Sequence, residues 1–254
     1  METANLKKFA QQARATLLEQ VNTKLSFVLA KDSLARREHP ASIAELEAKI
    51  AELGKQQLIE RVAYIWFNRF SALRYMDVNH YTRIGVVSPA EGQTQPEILA
   101  EAKMGHIDDR EIPEKIQQHV LSLLDGTLPS DDPQAESYRL LLVATCNYWH
   151  SNMPFLFQRI DDYTQLLMPD NLLSTSSILA TMRDAMTAEV CEDVEVIGWL
   201  YQFYISDKKD EVFAGLKKNE KVTPENIPAA TQLFTPHWIV RYLVENSLGR
   251  FVVA

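Results

Sequence analysis

Apolar side chains recur along most of this chain at intervals of three or four. Leu6, Ala10, Ala13, Leu17, Val21, Leu25 and Val28 fall on one face of a long amphipathic helix. Arg36-Arg37-Glu38-His39-Pro40 interrupts the pattern, and Ile43, Leu46, Ile50 and Leu53 resume it up to Gly54, a suitable helix C-terminus. From Leu58 to about Met76 a third helix turns Ile59, Val62, Trp66, Phe70 and Leu73 inward, with Arg61 and Arg69 on one broad face. These segments predict a helical bundle. Tyr81-Thr-Arg-Ile-Gly-Val-Val87 is β-branched enough to predict a short strand, at most one strand pair in a mainly α protein. Residues 88–112, with Pro89, Gly92, Pro96 and Gly105, predict a long connection broken by a helical turn or two.

Pro113 can open the next helix, with Ile116, Val120, Leu123 and Leu124 inward and Gly126 at its end. Asp132-Pro133 starts another, in which Tyr138, Leu141, Leu142, Thr145 and Trp149 form an apolar stripe that stops before Met153-Pro154. Ser176 or Ser177 can cap a helix reaching about Val190. The run from Val196 to Ile205 is aromatic nearly all round, predicting a buried helix that ends at the charged Asp207-Lys-Lys-Asp-Glu211. Val222-Thr-Pro-Glu-Asn-Ile-Pro228 reads as an extended linker, and a last helix starts near Thr235. The expected organisation is a helical domain over 1–220, divisible near 77–112, followed by a linker and the opening of a second domain over 221–254.

Composition narrows the chemistry. The chain has 254 residues, 46% hydrophobic and 24% charged, ordinary values for a folded globular protein. Cys146 and Cys191 are too few for a disulfide framework or a cysteine zinc site. No stretch approaches 18 apolar residues and no apolar segment follows Met1, so a cytoplasmic protein without a membrane partner is expected. None of the eight glycines lies within two residues of another, which excludes a G-x-G turn, a P-loop and a nucleophile elbow. A net charge of −8 argues against a free-standing, nonspecific DNA binder. Contact with DNA would need a local patch, for which Arg61, Arg69, Arg74 and Arg83 are the nearest candidates.

Other constellations are weak. Cys146 and His150 lie four apart on a helix, but two ligands do not make a metal site, and none is predicted. Glu97, Glu101 and Lys103 imitate a nuclease set, yet they would share one turn and a half of helix instead of converging from strands around a metal. The pairs Asp108-Asp109, Asp131-Asp132 and Asp161-Asp162 lie at helix starts or in loops, where capping explains them.

The strongest feature is the run from Ala230 to Gly249. Thr235 is placed as an N-cap and Pro236 at the first helical position, where a missing N–H costs nothing. Phe234 and Ile239 could close a hydrophobic staple. Trp238 occupies the position where a capping box needs Glu or Gln, so the amides at this helix start are expected to be open to an anionic group. Val240, Leu243, Val244 and Ser247 would face a neighbouring sheet or helix.

Residues 233–244, Leu-Phe-Thr-Pro-x-x-Ile-Val-x-x-Leu-Val, resemble the Phe/Tyr-Thr-Pro segment (motif X) that opens the catalytic domain of adenine-specific DNA methyltransferases. Ile197 to Phe213, the Thr-Pro-Glu-Asn-Ile-Pro linker, Ala-Thr-Gln-Leu-Phe-Thr-Pro and the helix from Asn68 to Met76 are similar to the PglX (BrxX) family, the methyltransferases of the BREX phage-defence system. The resemblance spans most of the chain and is most specific between 196 and 250. It implies a mainly α N-terminal region leading into the first helix of an α/β methyltransferase domain. It also implies S-adenosyl-L-methionine as cofactor, bound by Phe234, Thr235 and Pro236, with Phe234 packed near the donor and Thr235 and the amides after it at its amino-acid end. Double-stranded DNA, and other BREX proteins, are the implied partners. The family's glycine-rich donor loop and Asn/Asp-Pro-Pro-Tyr motif are not found before Ala254, so no catalytic residue is assigned and these 254 residues by themselves are expected to transfer no methyl group. Two other readings stay open: a helical module docking DNA or defence proteins, and the nuclease part of a fused restriction–modification enzyme.

Overall fold

A computed structural model describes the chain except residues 1–2, 155, 158–159, 161–162, 224–225, 232–234 and 254 and the side chains of 228 and 251–253. Of the described residues 68% are helical, and none forms a strand, in line with the mainly α fold the periodicity predicts. The elements are α1 (Thr3–Val28), α2 (Leu34–Glu38), α3 (Pro40–Leu53), α4 (Lys55–Val78), α5 (Glu97–Lys103), α6 (Glu114–Leu124), α7 (Pro133–His150) and α8 (Tyr163–Leu166). There follow α9 (Ile178–Ala185), α10 (Ala188–Cys191), α11 (Glu195–Tyr204), α12 (Ser206–Lys217), α13 (Ile227–Thr231), α14 (His237–Asn246) and α15 (Leu248–Val253). The chain divides into two compact units, one of residues 12–188 and one that joins 1–11 to 189–254.

In the larger unit the apolar stripes become the core. Ala13, Leu17, Val21, Leu25 and Val28 of α1, and Ile43 and Leu46 of α3, are buried. Gly54 joins α3 to α4 with φ +83°, a left-handed conformation that costs glycine nothing, and its amide closes α3 by donating to the Ile50 carbonyl at 2.8 Å. Helix α4 is the central element. Leu58, Val62, Trp66, Phe70 and Leu73 have no exposed surface, and Trp66 stacks on Phe70 with ring centroids 5.4 Å apart. The Trp66 indole donates to the Thr164 carbonyl at 3.1 Å, which satisfies its one polar atom.

The strand expected at 81–87 does not form. Asp77, in the last turn of α4, accepts hydrogen bonds from the Thr82 hydroxyl (2.8 Å) and from the amides of Val86 (3.0 Å), Val87 (2.9 Å) and Ser88 (3.0 Å). Amides turned onto a carboxylate cannot serve a ladder, so the β-branched signal reports burial of Val86 and Val87 instead of pairing. Three more side chains hold this loop: Tyr138 donates to the Val86 carbonyl, Arg183 to the Val87 carbonyl, and Arg74 to the Ser88 hydroxyl. A Cβ on Gly85 would lie 2.5 Å from the Ser88 carbonyl oxygen, so glycine is required at that close approach.

Elsewhere the boundaries move modestly. Ser177 caps α9 by accepting from the Ala180 amide at 3.1 Å, but the helix stops at Ala185 and resumes only as the short α10. In the smaller unit α11 buries Val196, Leu200 and Tyr204 and leaves its remaining side chains partly exposed. The charged run after it does not end helical structure: α12 starts at Ser206 and carries Asp207 to Glu211 on an exposed or half-exposed surface. Gln11 from α1 donates to the Asp207 carboxylate at 2.7 Å within this same unit. Of the expected linker at 222–228, Pro224 and Glu225 lie outside the described residues, and α13 begins at Ile227.

Candidate functional site

Helix α14 carries the residues that the sequence singles out, and its start differs from expectation by one position. Pro236 is the cap residue (φ −55°, ψ 142°) and His237 the first helical residue. Thr235 therefore precedes the cap, and no side chain at the cap position bonds to the helix. Phe234 lies outside the described residues, and with it the staple to Ile239.

Nor is the terminus open. The His237 amide donates to the carboxylate of Glu195, the first residue of α11. The other oxygen of that carboxylate lies 3.4 Å from the Trp199 indole nitrogen, which donates to it. A sequence-distant acid thus supplies the negative group that the missing capping box would have brought, at the positive end of the helix. Sequence reasoning missed it because 42 residues separate the partners.

Most apolar positions of α14 are exposed among the described residues. Trp238 is 70% exposed, Tyr242 62% and Leu243 59%, and the helix buries no residue. Val240, Val244 and Leu248 are also exposed. One ten-residue helix presenting this much contiguous apolar surface is unusual for a surface that meets only water.

The proposed arginine patch does not assemble. Arg69 is 1% exposed, with its guanidinium over the Trp66 ring at 4.9 Å, so it belongs to the core. Arg74 is half-buried and donates to the Met186 carbonyl and the Ser88 hydroxyl. Arg83 pairs with Asp108 at 2.6 Å, and Arg61 is exposed. A 3.6-residue pattern places an arginine on a helix face but cannot tell a face that meets tryptophan from one that meets solvent.

The nuclease-like trio is dispersed. Glu97 accepts from the Gly85 amide at 2.7 Å, Glu101 pairs with His106 at 2.9 Å, and Lys103 donates to Gln95 and Gln134. Cys146 is wholly buried, and burial pushes its thiol up to about 12, while His150 bonds the Phe157 carbonyl. Among the described residues no three His, Cys, Asp or Glu side chains are grouped to hold a metal, and no helix is long and apolar enough to cross a membrane.

A groove of about 590 Å³ lies in the larger unit, between the Arg83 loop, α5 and the turn at 105–112. Its lining includes Ile84, Ile98, Ile107 and Ile112, four carboxylates and two arginines. Glu111 is 6% exposed, and desolvation, helped by Asp108, raises its carboxyl above the ordinary glutamate range while Arg83 opposes the shift.

No family model matches the chain. It is 40% identical over 275 residues to a protein of Escherichia coli O9:H4 (strain HS), and 35% identical over 289 residues to one of Lacticaseibacillus casei (strain Zhang). The matches cover 98% and 99% of this chain but only 22% and 23% of the relatives. Both relatives are described as adenine-specific methyltransferases, and it is to part of proteins so described that the chain is similar. Within that class the relatives are named BrxX and PglX, the family that the residues between 196 and 250 resemble. The chain spans less than a quarter of their length.

Proposed function

We propose that this chain is the N-terminal helical part of an adenine-specific DNA methyltransferase of the BREX type, which marks host DNA in bacteriophage defence. The observation that carries the reading is the pairing of a similarity that spans 98% of this chain with α14, a helix whose apolar face is largely uncovered. In the longer protein that face packs against the methyltransferase sheet, and S-adenosyl-L-methionine lies at the start of the helix. When bound, the donor would supply an electrophilic methyl group for the adenine amino nitrogen. A carboxylate is already held on the His237 amide, so this terminus is suited to the donor's amino-acid end. Thr235 and Pro236 lie at the start of the helix, where they would meet the donor. The carboxylate of Glu195 must then leave the first amide or share the terminus with its neighbours.

The experiment compares the 254-residue chain with the longer gene product, each incubated with labelled donor and adenine-containing duplex DNA. The longer protein should form N6-methyladenine and the chain alone should form none. Saturable methylation by the chain alone would refute the division of labour, and failure of both would refute the reading.

A further inference from the structure

The groove beside Glu111 has no part in methyl transfer as proposed. We propose that it receives a lysine or arginine side chain of a partner polypeptide, whose cation pairs with the Glu111 carboxylate. Three observations lead there. First, Glu111 is only 6% exposed and no hydrogen bond or ion pair among the described residues engages its carboxylate, whose oxygens keep an opening onto the groove. An acid so largely desolvated and without a partner is costly, and a cation that reaches it through that opening recovers part of the cost.

Second, the other charges of the groove are mostly committed. Arg83 is held by Asp108, and Glu101 by His106. The lining carboxylates Glu101, Asp108, Asp109 and Glu111 outnumber Arg83 and Arg110, so the vacant demand is for positive charge. The upward shift of the Glu111 carboxyl is the electrostatic sign of that demand.

Third, the walls suit a side chain better than a bare ion. Four isoleucines line the groove, and the aliphatic stem of lysine or arginine covers such surface while its head stays polar. The site is also firmly built. The Ile112 amide donates to the Asp108 carbonyl at 3.0 Å, and Gln117 of α6 donates to the Ile112 carbonyl at 2.8 Å, which fixes the turn bearing Glu111. A single buried unpaired acid between aliphatic walls, with Asp109 exposed at the rim, fits one cationic side chain flanked by apolar neighbours, which favours a polypeptide over a free polyamine.

The test titrates the isotope-labelled 254-residue chain with acetyl-Ile-Arg-Ile-amide, with its neutral citrulline counterpart and with spermidine, recording backbone amide shifts. The arginine peptide should perturb residues 83–84 and 98–112 and bind at least tenfold more tightly than the other two. Glu111→Gln should reduce it to the citrulline level, while Asp109→Asn at the exposed rim should weaken it less than threefold. Equal affinity of the two peptides, spermidine binding as tightly as the arginine peptide, perturbation centred elsewhere, or no saturable binding up to about 10 mM would each overturn the proposal. The peptide comparison on the unchanged chain decides the matter even if a variant fails to fold.

Discussion

Replacing Asp77 with alanine should be among the most damaging single changes available to the larger unit. The substitution strips acceptors from one hydroxyl and three consecutive amides, those of Val86, Val87 and Ser88, in a segment that is itself buried. A buried donor left unsatisfied costs roughly 1–3 kcal/mol. Four such donors would reach several times that, but the loop can loosen and admit water, so the lower end applies and the expected loss is about 3–5 kcal/mol. Asp77→Asn keeps the shape but turns an NH2 group toward two donors, and should cost about 2–3 kcal/mol. Urea unfolding monitored by far-UV circular dichroism gives the free energy, and hydrogen exchange at residues 86–88 reports whether the loop opens before the helices do. A loss under about 1 kcal/mol with the exchange protection of those amides intact would refute the argument that this carboxylate organises the loop.

The same geometry sets the other expectations. Cys146, wholly buried with its thiol pushed up to about 12, should resist iodoacetamide at mildly alkaline pH in the native chain and react once urea unfolds it, as mass spectrometry would show. Arg69→Ala should lower stability by about 2–4 kcal/mol through lost packing on Trp66 while leaving any affinity for duplex DNA unchanged. Arg61→Ala should do the reverse, with melting unchanged and salt-sensitive DNA anisotropy reduced. Glu111 takes up a proton more readily folded than unfolded, so its contribution to stability falls as pH rises above the ordinary glutamate value of 4.5. Glu111→Gln should accordingly gain on the wild type between acid and neutral pH, and a difference in melting that stays flat with pH would contradict the raised carboxyl. Glu195→Gln should weaken the start of α14 by about 0.3–1 kcal/mol, read as reduced exchange protection of the first turn.

The features legible in the sequence and those hidden from it divide along the range of the interaction. The stripes of α1, α3 and α4 are legible because residues three and four apart share a face whatever the rest of the chain does. Gly54 and Ser177 are legible because each acts on backbone groups within three or four positions. The 81–87 loop is not, since Val and Ile signal burial on a pleat and burial against a helix in the same way. Thr235 shows a finer limit. Thr-Pro marks a helix start, but the start falls after the proline, so the hydroxyl is one residue too early to cap it. The Glu195 contact and the isolation of Glu111 depend on elements that meet only in three dimensions. Family resemblance reaches the helix that matters, and geometry then shows which of its groups are already engaged.

The larger unit is an insertion in chain order, since the smaller one is built from residues 1–11 together with 189–254. The bond from Gln11 to Asp207 closes a loop across 196 residues, and for a flexible chain that closure would cost about 4–5 kcal/mol of entropy beyond a constant. The cost falls sharply if the intervening stretch has already condensed and brought its two ends near each other. During synthesis the leading eleven residues must therefore wait, unable to complete their own assembly until the ribosome has delivered the segment beyond residue 188. An early stop near residue 188 would release a nascent product able to collapse, and one near residue 100 would release neither unit whole.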